Sequence, residues 1–482
     1  MNSLKERILR LQETSESLEP TKDQRDSYIE SVKGFAHKFI SSLNDVETFN
    51  SKVVNKDALS LSNSKRTLDE IIKTFNQEVA EKGMKPASGG HLGYIPGGGI
   101  YAASLGDFLA DITNEYTGMY YASPGGVTIE NELIDWMKEL FEFPKSSVGN
   151  LTSGGSIANL IALTAARDKH GIKNAVIEKS VIYTSPQIHH CVHKALRIIG
   201  LEDVQIRYVE LDENSRIVPE DLERKIEADK TKGLNPFVII ASAGTTDTGA
   251  IDPLEEIGDI SKKHGLWYHV DGAYGGFFML VDKVKHKFKG IEMADSLVVD
   301  PHKGLFLPYG LGAVLVKDKQ AVYHSNHYRA NYMQDAIKDE FPVNPADVSP
   351  ELTKHFRGLR LWLPLQLHGV EPFKACLEEK LLLTSYFREG LKHIGFELGP
   401  EPDLSVSYFW YPSKEVDQNT FNERLMQAIH SDGEIFLSST LVNGKFVIRM
   451  AILSFRTKLE TIDRAVAMIN RIRKEVENEF KA

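Results

Sequence analysis

The residues Ser296-Leu297-Val298-Val299-Asp300-Pro301-His302-Lys303 run an apolar stretch straight into a lysine. An amine at the mouth of a buried strand can condense with a carbonyl to form a Schiff base, provided part of it is unprotonated. Thirty-two residues upstream stands His269-Val270-Asp271-Gly272-Ala273-Tyr274-Gly275-Gly276, a second apolar run ending on a carboxylate and small residues. A lysine taken alone is far more often a solvated surface group than a nucleophile. Set beside an acid at the end of another strand, it becomes chemically specific. Pyridoxal 5'-phosphate (PLP) requires this pair: the acid keeps the pyridine nitrogen protonated, and the lysine carries the aldehyde.

A phosphate group needs backbone N–H donors at a helix start. Thr152-Ser153-Gly154-Gly155-Ser156 supplies a glycine turn, and Ile157, Leu160, Ile161 and Ala165 continue it at helical spacing. The turn lacks the lysine of a P-loop and the spacing of a dinucleotide fingerprint. Pro96-Gly97-Gly98-Gly99 is no dinucleotide loop either, because no strand feeds it. His189 and His193 stand four apart, but the further ligands and general-base carboxylate of a zinc site are missing beside them. A single imidazole stacked on a cofactor ring explains His189 better. Gly244-Thr245-Thr246-Asp247-Thr248-Gly249 ends another apolar run, and its hydroxyls lie level with Asp271 and Lys303 if the strands are in register.

These groups need a frame. Short apolar or β-branched runs at 181–183, 204–209, 237–240, 267–270, 297–299 and 313–316 alternate with helix-length segments such as 219–229 and 253–264. That pattern predicts a mostly parallel sheet covered on both faces, with ligands beyond the carboxyl ends of its strands. Residues 1–82 read as helices too sparse in apolar side chains to form a core alone, so they must pack on something else. Residues 83–370 hold the α/β pattern. Residues 371–482 read as an α+β cap with helices at 373–394 and 459–480 and strands at 405–411 and 446–452.

The formal charge of −10 over 482 residues argues against nucleic acid or anionic membrane as the main partner. Only Cys191 and Cys376 are present, so no disulfide framework is implied and a reducing compartment fits. The first residues carry no apolar signal core, and no run of about 18 apolar residues offers a membrane span. The cytoplasm is the expected location.

Taken together, Asp-Pro-His-Lys after a strand, the His-Val-Asp-Gly-Ala-Tyr-Gly-Gly run, Ala-Gly-Thr-Thr at 243–246 and Ser-Pro-Gly-Gly-Val-Thr-Ile-Glu-Asn-Glu at 123–132 resemble the group II PLP-dependent amino-acid decarboxylases. The resemblance extends from about residue 80 to Arg449-Met450-Ala451-Ile452, with the motifs in family order. It implies an α/β chain of PLP fold type I, like aspartate aminotransferase, with an N-terminal helical segment and a C-terminal α+β unit. It implies that Lys303 is the Schiff-base lysine and that Asp271 partners the ring nitrogen. Ala273 then packs on one ring face, His189 stacks on the other, and Thr246 lies near the phenolic edge. Gly155, Ser156 and His302 hold the phosphate. Asp300 departs from the asparagine of several relatives and receives no role. In relatives a tyrosine on a loop after the lysine strand protonates the carbanion. Register favours Tyr332 here, with Tyr328 as the competitor.

Ser88-Gly89-Gly90-His91-Leu92-Gly93-Tyr94-Ile95-Pro96-Gly97-Gly98-Gly99 resembles the family's substrate segment. His91, Tyr94, Pro96, Gly97 and Gly98 are its candidate contacts, the glycines leaving room for a ring. Arg357 and Arg360 belong to a stretch shared across the family, and Arg449 reads as structural. With no additional arginine for a second carboxylate, an aromatic L-amino acid (tryptophan, tyrosine, DOPA or phenylalanine) is favoured over glutamate or aspartate. The resemblance also implies a homodimer whose partner completes the active site. The rival readings are another PLP lyase or aminotransferase on this fold, and a scaffold without chemistry.

Overall fold

Seven strands form the central sheet of the computed structural model, which describes residues 2–326 and 342–481. In chain order they are β1 (Val148–Thr152), β2 (Ser180–Thr184), β3 (Gln205–Tyr208), β4 (Asn235–Ser242), β5 (Trp267–Asp271), β6 (Ser296–Val299) and β7 (Gly312–Val316). Across the sheet they lie β1-β7-β6-β5-β4-β2-β3. The five strands β2 to β6 are parallel, as their helix-length connections require. β7 runs antiparallel to both β6 and β1. Its connection from β6 holds only the four-residue helix Pro301–Gly304, too little to carry the chain back across the sheet.

The strands are apolar almost throughout because both faces are covered. Val181, Tyr183, Ile239, Val270 and Leu297 enter one core, and Ile182, Val238, Ile240, Trp267 and Val298 enter the other. β1 escapes detection by sequence pattern because it carries Gly149 and Asn150 amid its apolar residues. Both are forced: a Cβ at Gly149 would lie 2.7 Å from the Val314 carbonyl oxygen, and Asn150 Nδ2 donates to the Pro345 carbonyl at 3.1 Å.

A second, antiparallel sheet lies nearer the C-terminus, with β8 (Glu397–Leu398), β9 (Val406–Trp410), β10 (Ser438–Val442) and β11 (Lys445–Ala451) in the order β8-β9-β11-β10. Helices Glu371–His393, Gln418–Asp432 and Leu459–Lys481 cover it, burying Phe387, Phe421, Ile429, Ile462 and Ile469. Asn443 and Gly444, both at positive φ, turn β10 into β11, the two-residue geometry that matches strand twist. Residues 88–95, placed by sequence at the start of the large α/β stretch, lie along this smaller sheet instead. Leu92 N–H donates to the Phe436 carbonyl at 2.8 Å and Ala451 N–H to the Leu92 carbonyl at 2.7 Å, with Leu92 buried in the C-terminal core.

The N-terminal helices are under-packed, as their composition predicts. Helix Lys22–Ser42 buries none of its residues, and Leu4, Ile8, Leu11, Ile29 and Val32 are all exposed.

Candidate active site

The C-terminal ends of β4, β5 and β6 open onto one cavity of 480 Å³. β5 and β6 are neighbours in register, with Asp271 opposite Val298. Asp271 closes β5, and Lys303 follows β6 by one tight helical turn, so both line the same space. Lys303 Nζ stands 3.1 Å from Asp300 Oδ2. Burial opposes its charge, but the carboxylates of Asp300 and Asp271 outweigh that and raise the amine above the ordinary lysine value. An amine held charged must shed its proton before it can attack an aldehyde, so these two acids govern whether this amine could react. Asp300, without a role in the sequence reading, is therefore the ion-pair partner of Lys303. Its Oδ1 is buried without a hydrogen-bond partner.

The glycine turn forms another wall. Gly154, at φ +147°, delivers the chain into helix Gly155–Lys169, whose first amides have no intrahelical acceptor. A Cβ at Gly155 would lie 3.1 Å from Asp300 Oδ2 and 3.4 Å from Ala273 Cβ, so the turn rests directly on the ends of β5 and β6. His302 donates through Nδ1 to the Leu311 carbonyl at 2.6 Å, and burial lowers its pKa. His189 also has a lowered pKa, mainly through burial, and its Nδ1 accepts from Cys191 N–H at 3.3 Å. His193 turns away to Tyr208 OH at 3.0 Å, so the two histidines do not converge.

All eight sequence-predicted cofactor residues, Gly155, Ser156, His189, Thr246, Asp271, Ala273, His302 and Lys303, line this cavity. The predicted substrate contacts do not. His91 is buried against Phe436, ring centroids 5.1 Å apart, and Tyr94 is exposed at φ +51°. Pro96 is buried. Gly97 and Gly98 leave no room for a ring. A Cβ at Gly97 would fall 2.2 Å from the His302 carbonyl oxygen, and one at Gly98 would fall 2.6 Å from Ser454 Oγ. The glycines are needed so that this segment can lie against the backbone beside Lys303. Tyr332 and Tyr328 lie outside the described residues.

Arg449 on β11 is buried and structural, as expected. It donates to the carbonyls of Asp247 and Tyr94 at 3.1 Å each, to Ser438 Oγ at 3.1 Å and to the Thr246 carbonyl. One guanidinium thus ties residues 88–95 to the loop after β4. Sequence reasoning passed over Asn159, Gln187 and Tyr309, which also line the cavity. For Asn159 a signal existed: it is a polar residue on the apolar stripe of the helix, four positions after Gly155.

Burial pushes His91 and His269 each down to about 4. Unfolded histidine titrates near pH 6.5, so the unfolded chain binds protons first as the solution is acidified. Their contribution to stability is complete above about pH 6.5 and falls toward pH 4, by about 3 kcal/mol per histidine. Urea unfolding at pH 7, 5.5 and 4 should follow that decline, and His91→Gln should flatten it. A slope that His91→Gln leaves unchanged would exclude this origin.

The groups present suit PLP by their chemistry: an amine for an aldehyde, a helix N-terminus for a phosphate and a buried carboxylate for a pyridinium. Residues 52–412 match the profile of the pyridoxal-dependent decarboxylase conserved domain. The chain belongs to that family. It is 34% identical over 437 residues to an aromatic-L-amino-acid decarboxylase of Bacillus atrophaeus, covering 89% of this chain and 91% of the relative. It is 30% identical over 416 residues to tryptophan decarboxylase 2 of Oryza sativa subsp. japonica, covering 83% of each. A crystal structure of Oryza sativa TDC with PLP and tryptamine superposes with a TM-score of 0.89 at 24% identity, over 94% of this chain and 98% of that one, which establishes the shared fold. As a pyridoxal-dependent decarboxylase, the chain takes PLP as cofactor and releases the carboxylate of an amino acid as CO2.

Proposed function

We propose that this decarboxylase converts an aromatic L-amino acid to its amine. The observation that carries the choice is the cavity wall. No arginine lines it among the described residues, while Tyr274 and Tyr309 do. The neighbouring arginines are already engaged: Arg357 with Glu351 at 2.8 Å, Arg360 with Asp107 at 2.8 Å, and Arg456 with the Ala87 and Gly98 carbonyls. A second substrate carboxylate would enter with no guanidinium to meet it, at the cost of a desolvated charge. The aromatic substrates named for the two curated relatives agree with this reading. Incubation with tryptophan, tyrosine, DOPA, phenylalanine and glutamate, with amines read by mass spectrometry, tests it. Faster turnover of glutamate than of every aromatic acid would refute it.

In this reading Lys303 tethers the cofactor and Asp271 holds its ring nitrogen protonated. Gly155, Ser156 and His302 receive the phosphate, while His189 and Ala273 flank the ring and Thr246 meets its edge. PLP supplies an electron sink for the pair left on Cα when CO2 departs. The protein's task is to orient the breaking bond, exclude water and deliver a proton to Cα. We assign that proton to Tyr332 on sequence grounds. Tyr332→Phe should still release CO2 but divert product, with O2 consumed, to the aldehyde, ammonia and hydrogen peroxide. The amine yield should drop about a hundredfold, the usual order for loss of a general acid. Unchanged amine yield would move the role to Tyr328.

A homodimer in the cytoplasm completes the proposal, with residues 1–82 as the dimerising segment, 83–370 as the PLP-binding unit except for 88–95 on the smaller sheet, and 371–482 as the smaller unit. Helix Tyr101–Thr113 leaves Tyr101, Leu105, Phe108, Leu109 and Ile112 exposed along one stripe, and the N-terminal helices leave their own apolar residues uncovered. Stripes of this kind mark surfaces that another chain covers. Of the candidate substrate contacts, the exposed Tyr94 keeps a proposed substrate role in that assembly, while His91, Pro96, Gly97 and Gly98 would support the course of its segment. Light scattering during size exclusion should give twice the chain mass; an active monomer would overturn the assembly. No helix among the described residues is long and apolar enough to cross a membrane.

A further inference from the structure

We propose that His269 and Asn159 form a one-way hydrogen-bond relay that positions Asp271 and fixes it as a hydrogen-bond acceptor, making both of them positioning residues for the ring nitrogen of PLP. The inference rests on the assignment of Asp271 to that nitrogen and goes beyond it.

Alternation along β5 puts His269 and Asp271 on one face of the sheet, beneath helix Gly155–Lys169. His269 and Asn159 are both fully buried. Polar groups at such positions are costly unless each finds its partner, and leucine would pack there at less cost. Their hydrogen bonds have only one consistent direction. Asn159 Nδ2 lies 2.9 Å from the Gly155 carbonyl oxygen, 3.4 Å from Asp271 Oδ2 and 3.7 Å from Cys191 Sγ. The carbonyl can only accept, and so can an ionised carboxylate, so the amide nitrogen must face them. Asn159 Oδ1 then accepts from His269 Nε2 at 2.8 Å, and that nitrogen must carry the proton.

Burial keeps His269 neutral, with its pKa pushed down to about 4. Its Nδ1 is therefore an acceptor, taking the hydroxyl proton of Ser296 at 2.8 Å. Ser296 Oγ in turn accepts from Trp267 Nε1–H at 2.8 Å, a group that can only donate. From Trp267 through Ser296, His269 and Asn159, every donor points toward Asp271. Bonds aligned in one sense polarise one another, and here they converge on a carboxylate that must remain an acceptor. The relay also joins β5 and β6 to the helix whose first turn cradles phosphate. It thereby fixes the distance between the anion-binding turn and the acid, the two ends of a bound PLP.

A network that served packing alone would affect stability and leave the ring nitrogen untouched. The test is solid-state NMR of the holoenzyme loaded with PLP labelled with ¹⁵N in the ring, with PLP affinity and kcat measured alongside. Asn159→Leu removes the last link. Asn159→Ala removes the same donor without adding bulk or charge beside Asp271, and so guards against a misfolded leucine variant. Both should shift the ring signal toward the unprotonated form and weaken PLP binding about tenfold, the order expected for losing a hydrogen bond to a charged group. His269→Leu should follow them, whereas His269→Gln, which keeps an N–H where Nε2 stood, should stay closer to wild type. A protonated wild-type nitrogen that none of the folded variants moves would overturn the relay alone. An unprotonated nitrogen in the wild type would overturn the Asp271 assignment and the relay with it.

Discussion

Lys303→Ala is expected to abolish the covalent adduct that borohydride fixes in the wild-type holoenzyme, and to lower kcat by about a thousandfold. The size follows from the two tasks of the amine. It would tether the aldehyde until substrate displaces it, and it would exchange protons with the incoming and departing amines, a role usually worth about 10²- to 10⁴-fold. PLP should still bind without a covalent link, because the helix N-terminus at Gly155 and the carboxylate of Asp271 do not depend on the lysine. The variant also strands Asp300, whose Oδ2 pairs with Lys303 at 3.1 Å and whose Oδ1 has no partner. A buried carboxylate that loses its cation destabilises the fold or takes up a proton, so the variant should also unfold more readily at high pH. Reduction followed by peptide mapping checks the tether. A label on any residue other than 303, or turnover within a few fold of wild type, would defeat the assignment.

Asp271→Ala should reduce kcat by about 10- to 1,000-fold while changing KM little. An opposite charge a few ångströms away raises the pKa of a cation by about one to three units, and each unit is tenfold in the protonated fraction. The effect falls on kcat because the protonated ring matters most when electrons flow into it, not when substrate binds. Asp271 Oδ1 accepts from Ala273 N–H at 3.0 Å, and that amide would lose its acceptor. Asp271→Asn separates geometry from charge: it preserves shape and an acceptor oxygen but removes the anion. Steady-state kinetics at saturating PLP should rank wild type well above the asparagine variant and both above alanine. An asparagine variant as fast as wild type would show that charge at 271 is not required.

The chemistry of the site was legible because the sheet is parallel and buried on both faces. Such strands read as continuous apolar runs, and whatever polar residue ends one of them stands at the ligand edge. Asp271, Lys303 and the threonines after β4 announce themselves in this way, and the glycine turn at 154–155 does so as an interruption before a helical stripe. The helix Gln418–Asp432 and strand β10 were not read, although Asp417 caps one, Gly433 ends it and Asn443-Gly444 closes the other's hairpin. Local signals existed there without a pattern strong enough to call attention to them.

Spacing along the chain could determine which residues end strands, and therefore which carry the reaction, since periodicity is a property of neighbours in sequence. It could not determine what fills the space around them. Gly97 packs on the carbonyl of His302, Arg449 joins Tyr94 to Thr246, and Asn159 reaches Asp271 across 112 positions. Each of these depends on a distance between segments remote in sequence, and only the packed tertiary structure fixes such distances.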